Sequence, residues 1–173
     1  SMGPAQEISG GSAGNTAAGL ASFGGRAAYF GKVRNDQLGA IFRHDMRSQG
    51  VAFDTLAATD GPATARSFIL VTPEGERTMN TYLGACVNLG PADVDEKIVS
   101  ATKVTYMEGY LWDKEEAKQA FKQAARIAHK AGRLTSITLS DSFCVERHRD
   151  SFLDLIRNGI DIVFANESEV KSL

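Results

Sequence analysis

Ile160-Asp161-Ile162-Val163-Phe164-Ala165 is an almost wholly apolar run with helical patterns on both sides. A continuous apolar strand between helices belongs to a parallel sheet covered on both faces, because parallel strands need crossover connections and those connections bury the sheet. Working back toward the N-terminus, Val145 to Arg157 reads as a helix, Leu134 to Leu139 as a strand and Lys103 to Tyr110 as another. Between these two strands lies the strongest helical pattern of the chain. Its apolar face is Ala117, Ala120, Phe121, Ala124, Ile127, Ala128 and Ala131, with Asp113 and Glu116 spaced as a capping box and Gly132 as a stop. Pro91 starts a further helix reaching about Ala101. The alternation of strand and helix gives an α/β fold.

The N-terminal part has a different texture. Arg26 to Val33 is a short apolar run expected as a strand, and Asn35 or Asp36 caps a helix to about Gln49, with Leu38, Ile41, Phe42 and Met46 at helical spacing. Val51 to Thr59, Thr64 to Thr72 and Arg77 to Leu83 then read as three strands separated by Asp60-Gly61-Pro62 and Pro73-Glu74-Gly75-Glu76, the last two as a hairpin. This series interrupts the βα rhythm and is expected as a separate β layer.

Gly10-Gly11-Ser12-Ala13-Gly14-Asn15 precedes an apolar helical run, Thr16 to Phe23. Glycines admit strained backbone and close approach of a ligand, and a helix N-terminus presents free N–H groups. The segment reads as a cradle for a polar small molecule, with Asn15 aiming a side chain, or as a plain turn that starts a helix. Asn166 and Glu169, three apart at a helix start, face one direction just beyond a strand's C-terminal end, where open α/β sheets bind ligands. The same pair is also a capping box.

The chain of 173 residues has 43% hydrophobic and 23% charged residues and a net charge of −2, so it carries no basic footprint for nucleic acid or anionic membrane. No apolar run approaches membrane-spanning length. Cys86 and Cys144 fit reduced thiols in a cytoplasmic protein. Gly25 to Lys32 is one residue too long for a phosphate-binding loop, and Val33 stands where Ser or Thr is needed. His44, His129 and His148 lie on expected helices without a partner at ligand spacing and are expected to be solvated. Glu108, on an otherwise apolar strand, either touches substrate or pairs in the core.

The chain resembles the ribokinase, or phosphofructokinase-B, family of carbohydrate and nucleoside kinases, and most of all its adenosine-kinase-like branch. The resemblance rests on Gly10-Gly11-Ser12 with Asn15, Gly24-Gly25 before Phe30-Gly31-Lys32-Val33, Asp36 and Gly39, the 64–82 hairpin, Leu139-Ser140-Asp141-Ser142-Phe143, and the run from Asp161 to Glu169. Arg34 stands where the family's first signature usually has Gly, a position that touches no expected ligand contact. The resemblance implies a ribokinase-like three-layer sandwich with a small β-sheet lid, incomplete at both ends. The whole chain, 1–173, is then a partial kinase domain with lid strands at about 51–59 and 64–83 and core βα units at 14–50 and 91–173.

An Asp-bearing first strand is expected before Ser1. A second half, with the Gly-Ala-Gly-Asp motif that supplies general base and anion hole, is expected after Leu173. The implied activity is phosphorylation of a primary hydroxyl on a ribonucleoside or sugar, adenosine first, with ATP as donor and Mg²⁺. This chain would be the substrate-and-lid portion, inactive by itself. The alternative is a non-catalytic binding or interaction module of the same fold. The resemblance also implies that Gly10 and Gly11 form a hinge, that Asn15 bonds a sugar hydroxyl, and that Arg77 reaches the substrate or the transferring phosphoryl group. Ser12 adds to the substrate site, and Phe143 and Leu111 sandwich a base. Asn166 and Glu169 help hold magnesium, mostly through water. A homodimer through the lid is a further implication.

Overall fold

Apolar periodicity and turn chemistry set the elements along residues 4–173, the part described by the computed structural model. Residues 1–3 of the expected 1–173 domain lie outside it. The order is α1 (Ser12–Ser22), α2 (Gln37–Ser48), β1 (Arg66–Val71), β2 (Arg77–Tyr82), α3 (Glu96–Ala101), β3 (Val104–Glu108), α4 (Glu115–Lys130), β4 (Leu134–Thr138), α5 (Ser142–Gly159), β5 (Ile162–Phe164) and α6 (Glu167–Ser172).

The expected parallel sheet is present. Its order is β3-β4-β5, with Val104 opposite Leu134 and Ser136 opposite Ile162. The main core lies between this sheet and helices α4 and α5. Met107 and Ile137 from the sheet and Leu139 just past β4 join Phe121 and Ala124 of α4 and Phe152 and Leu155 of α5. Trp112 is fully buried and stacks on Phe152 at 5.4 Å, and its indole N–H donates to Ser151 Oγ at 2.7 Å. Such a large ring adds most to the core when its one polar atom keeps a partner. β5 is an edge strand, and Ile162, Val163 and Phe164 are 37–54% exposed, so its apolar sequence is not covered on both faces by residues 4–173.

A second core joins α1 and α2 to the extended segments around them. Val33, Met46, Val51 and Phe53 are buried there, with Tyr29, Phe42 and Phe53 edge to face at 5.0–5.8 Å. Here the structure departs from the expected β layer. Residues 51–59 do not join the hairpin. They run parallel to 26–34 through bridges at Ala28–Ala52 and Arg34–Ala58, too sparse to make either segment a full strand. Val51, Phe53 and Thr55 are buried while Ala52, Asp54 and Leu56 are exposed, so a period of two serves packing on α2 rather than sheet pairing. β1 and β2 alone form a separate antiparallel sheet, with Arg66 opposite Tyr82 and both faces exposed.

Two helix starts also differ. The segment after Pro91 divides into a 3₁₀ turn, Pro91–Asp93, and α3, because Asp93 accepts from Gly90 N–H and Asp95 then caps a new helix through Lys97 and Ile98 N–H. Asp113 does not cap α4, which begins at Glu115 without a side-chain cap. Its carboxylate takes His148 and Arg147 instead. A tertiary charge partner outcompetes a local cap.

Asp36 fastens α2 to the chain entering the hairpin. It accepts from Gly39 N–H and the Thr64 hydroxyl at one oxygen and from Thr64 N–H at the other. Partial burial pushes its carboxyl up, but the Thr64 hydroxyl, the two N–H groups and the Arg34 charge outweigh this and hold it below the usual carboxylate range. A lowered folded-state pKa makes this contribution full at neutral pH and loses it as pH falls from the ordinary carboxylate range through the folded value. We expect Asp36→Ala to cost about 1–2 kcal/mol in urea unfolding at pH 7. The difference from wild type should shrink as pH falls below the ordinary carboxylate range. An unchanged difference at acid pH would contradict the assignment.

Candidate functional site

The turn into α1 uses its glycines unequally. Gly11 sits at φ 99° and ψ 147°, a region that residues with a Cβ rarely adopt. Gly10 has no such strain, and a Cβ there would meet only Asn15 Oδ1 at 3.9 Å, an ordinary contact. Among the described residues no side chain caps α1 and no acid lies in its first turn, so its leading N–H groups have no partner there and suit an oxygen ligand. Gly14 is buried against Phe42 and Met46. Asn15, exposed on the same turn, borders a shallow cleft of about 160 Å³ with Ser9, Gly10, Phe42 and Asp45. The Ser9 hydroxyl donates to Asp45 at 2.6 Å and, with His44, holds that carboxyl below its usual range.

Glu108 connects this turn to the sheet. It is the last residue of β3 and 6% exposed. Its Oε1 accepts from Ser12 Oγ at 2.7 Å and from the Tyr106 phenol at 3.0 Å, and its Oε2 accepts from Ser140 Oγ at 3.3 Å. A buried carboxylate is tolerable when hydrogen bonded in this way. Burial and the Glu108 charge push the Tyr106 phenol up to about 12. Ser140 is the one non-glycine residue with positive φ among the described residues, at 70°, and its hydroxyl also receives Tyr110 N–H. Gly109 lets the two strand ends close up, since a Cβ there would lie 2.8 Å from the carbonyl oxygens of Thr138 and Leu139.

Sequence alone left Glu108 open between substrate and core. The structure makes it the joint between the glycine turn, β3 and the loop after β4. The signal for it was a lone carboxylate ending an apolar strand. Ser12, expected to contact substrate, spends its proton on Glu108 and keeps only oxygen lone pairs for a ligand.

Around the same edge stand two exposed aromatics. Phe143 is 72% exposed on the first turn of α5, where Asp141 caps its N–H at 2.7 Å. Leu111 packs against the main core, and the exposed neighbour is Tyr110, which sequence reasoning passed over. Burial raises the Tyr110 phenol, and the charges of Asp141, Glu108 and Glu169 raise it further.

Asn166 and Glu169 form the capping box of α6. Asn166 donates its backbone N–H at 3.2 Å and its side-chain NH₂ at 2.8 Å to the two Glu169 oxygens, and Glu169 N–H donates back to the Asn166 side-chain Oδ1 at 2.9 Å. Glu169 is 8% exposed. Both are hard oxygen donors of the kind Mg²⁺ prefers. Among the described residues no group of three or more His, Cys, Asp or Glu is placed to ligate an ion. The donor chemistry fits contact with a hydrated cation, not a complete cage.

Arg77 opens β2 opposite Val71, and its side chain makes no hydrogen bond or ion pair among the described residues. The histidines are not simply solvated. His129 pairs with Asp161 at 3.0 Å, His148 with Asp113 at 2.6 Å and His44 with Asp45 at 3.2 Å. No helix among the described residues is long and apolar enough to cross a membrane.

We expect Gly11→Ala to cost about 1–3 kcal/mol in urea unfolding through its backbone angle. Gly10→Ala should stay within about 0.5 kcal/mol of wild type. Equal losses would mean that the turn is not strained at Gly11.

Residues 5–173 match the family model for pfkB family carbohydrate kinase. Over 129 residues, 73% of this chain and 34% of the relative, the sequence is 30% identical to the probable fructokinase-6, chloroplastic, of Arabidopsis thaliana. Over 168 residues, 97% of this chain and 53% of the relative, it is 27% identical to an ATP-dependent ribose-1-phosphate kinase of Halopiger xanaduensis. The structure superposes on an adenosine kinase from Sinorhizobium meliloti with a TM-score of 0.93 at 65% identity, covering 99% of this chain and 53% of that one. A probable sugar kinase protein from Rhizobium etli CFN 42 gives a TM-score of 0.93 at 63% identity, covering 99% and 52%. The chain thus spans between a third and about half of the length of these relatives.

Proposed function

The chain belongs to the pfkB family of carbohydrate kinases, and we propose that it forms the substrate-and-lid portion of an ATP-dependent kinase acting on a primary hydroxyl of a ribonucleoside, adenosine first. The observation that carries this is the Glu108 joint, which ties Ser12 of the Gly10–Asn15 turn to Ser140, whose hydroxyl receives the N–H of the exposed Tyr110. Polar donors next to an exposed ring suit a ligand with hydroxyls at one end and a base at the other. The 65% identity to an adenosine kinase supports a nucleoside, while the 63% identity to a probable sugar kinase keeps a sugar as the alternative.

In this account Asn15 and the α1 N–H groups re-pair ribose hydroxyls that lose water on binding, and Phe143 stacks on the base. The hydroxyl oxygen forms a bond to the γ-phosphorus, its proton passes to a base outside these residues, and the bond to the ADP oxygen breaks. Glu169 and Asn166 would hold a hydrated Mg²⁺, which would supply neutralisation of the phosphate charge. The hairpin serves as the lid that excludes water, and Arg77 at its turn supplies a cation for the phosphoryl oxygens on closure. Phe68, Leu70 and Met79, exposed on the two faces of the hairpin, suit a lid with a ligand on one side and a second copy on the other. The free thiols of Cys86 and Cys144 suit the cytoplasm.

Isothermal titration of the kinase that contains this chain separates the roles. Asn15→Ala should weaken adenosine by about 1–3 kcal/mol, roughly tenfold to a hundredfold, and leave ATP unchanged. Glu169→Gln should lower turnover and raise the Mg²⁺ requirement while leaving adenosine affinity unchanged. Equal adenosine losses in both variants would overturn the assignments. Binding of ribose or fructose without adenosine would keep the family and overturn the nucleoside.

A further inference from the structure

Helix α5 is broken at His148, whose angles of φ −129° and ψ 23° leave the helical region. Sharp breaks have identifiable causes, usually proline, glycine or an inserted group. Ser142–Gly159 contains no proline, and its one glycine is the last residue. The break is therefore imposed from outside the helix. Its contacts are specific. His148 Nε2–H donates to Asp113 Oδ1 at 2.6 Å, with Arg147 at 3.5 Å from the other oxygen. The freed His148 carbonyl accepts the Ser151 hydroxyl at 3.0 Å, which in turn accepts the Trp112 indole N–H at 2.7 Å. One turn earlier, the Cys144 thiol meets the Gly109 carbonyl oxygen at 3.2 Å.

All these partners lie on residues 109–113, the connection from β3 to α4 that also carries Tyr110. The segment on the near side of the break, 142–147, carries Phe143. We propose that the Asp113–His148 pair is a positioning pin. It holds α5 broken, and the break sets where Phe143 stands relative to Tyr110 at the edge of the sheet. His148 thereby tunes recognition of an aromatic base without touching it. The inference rests on the nucleoside function proposed above.

The test uses His148→Ala and His148→Gln, the second keeping an N–H donor for Asp113, with Arg147→Ala as a control that leaves the imidazole in place. Amide hydrogen exchange of residues 142–152 reads the pin without any substrate. Exchange should speed up in His148→Ala and return toward wild type in His148→Gln and Arg147→Ala. In the kinase containing this chain, His148→Ala should raise KM for adenosine roughly tenfold with kcat and KM for ATP near wild type, and His148→Gln should restore it. The proposal is overturned if exchange in His148→Ala matches wild type, or if His148→Gln is as impaired as His148→Ala. It is also overturned if His148→Ala lowers the unfolding temperature while KM stays unchanged. If wild type shows no use of adenosine, the nucleoside function fails instead, and the exchange comparison still decides whether the pin exists.

Discussion

A buried carboxylate governs the architecture of the site. Glu108 has little access to water and would be costly there without partners. It finds them in Ser12, Tyr106 and Ser140, from three places in the chain. Satisfying one charge therefore fixes the start of α1, the end of β3 and the loop after β4 against one another. The free N–H groups of α1 reach the edge of the sheet because Ser12 is held there. The positive φ of Ser140 and the bare α-carbon of Gly109 are the backbone conditions that let the strand ends approach.

The parallel sheet was legible in the sequence because short strand-like runs alternate with helical patterns, although β5, the run read as covered on both faces, is 37–54% exposed among the described residues. Helix α4 was legible because its alanine-rich stripe repeats at helical spacing. The hairpin was legible from its turn chemistry. What failed were choices between competing partners. Val51 to Thr59 has the alternation of a strand, but alternation does not say which neighbour it meets, and Val51 and Phe53 meet α2. Asp93, Asp95 and Asp113 each have the composition of a cap. Which of them caps depended on Lys32, 2.6 Å from Asp93, and on His148, neither visible from local spacing.

The site divides the same way. Strained backbone somewhere in the Gly10–Asn15 segment and a capping box as one reading of Asn166 and Glu169 followed from local rules, but that the strain falls on Gly11 and not on Gly10 needed the structure. Tyr110 was missed because an aromatic at the end of an apolar strand reads as core, and only its 50% exposure distinguishes it from Leu111 beside it. The partners of His129 and His148 lie 32 and 35 residues away and needed the fold to be found.

The central claim is that this edge of the sheet holds a nucleoside for phosphoryl transfer rather than merely binding one. Phosphorus NMR of the kinase containing this chain, supplied with Mg-ATP and adenosine, tests it directly. The account predicts that ATP signals convert to ADP while one new phosphomonoester signal grows in equal amount. Saturable adenosine binding with no phosphomonoester formed from adenosine, ribose or fructose would contradict it and leave a binding module of the same fold.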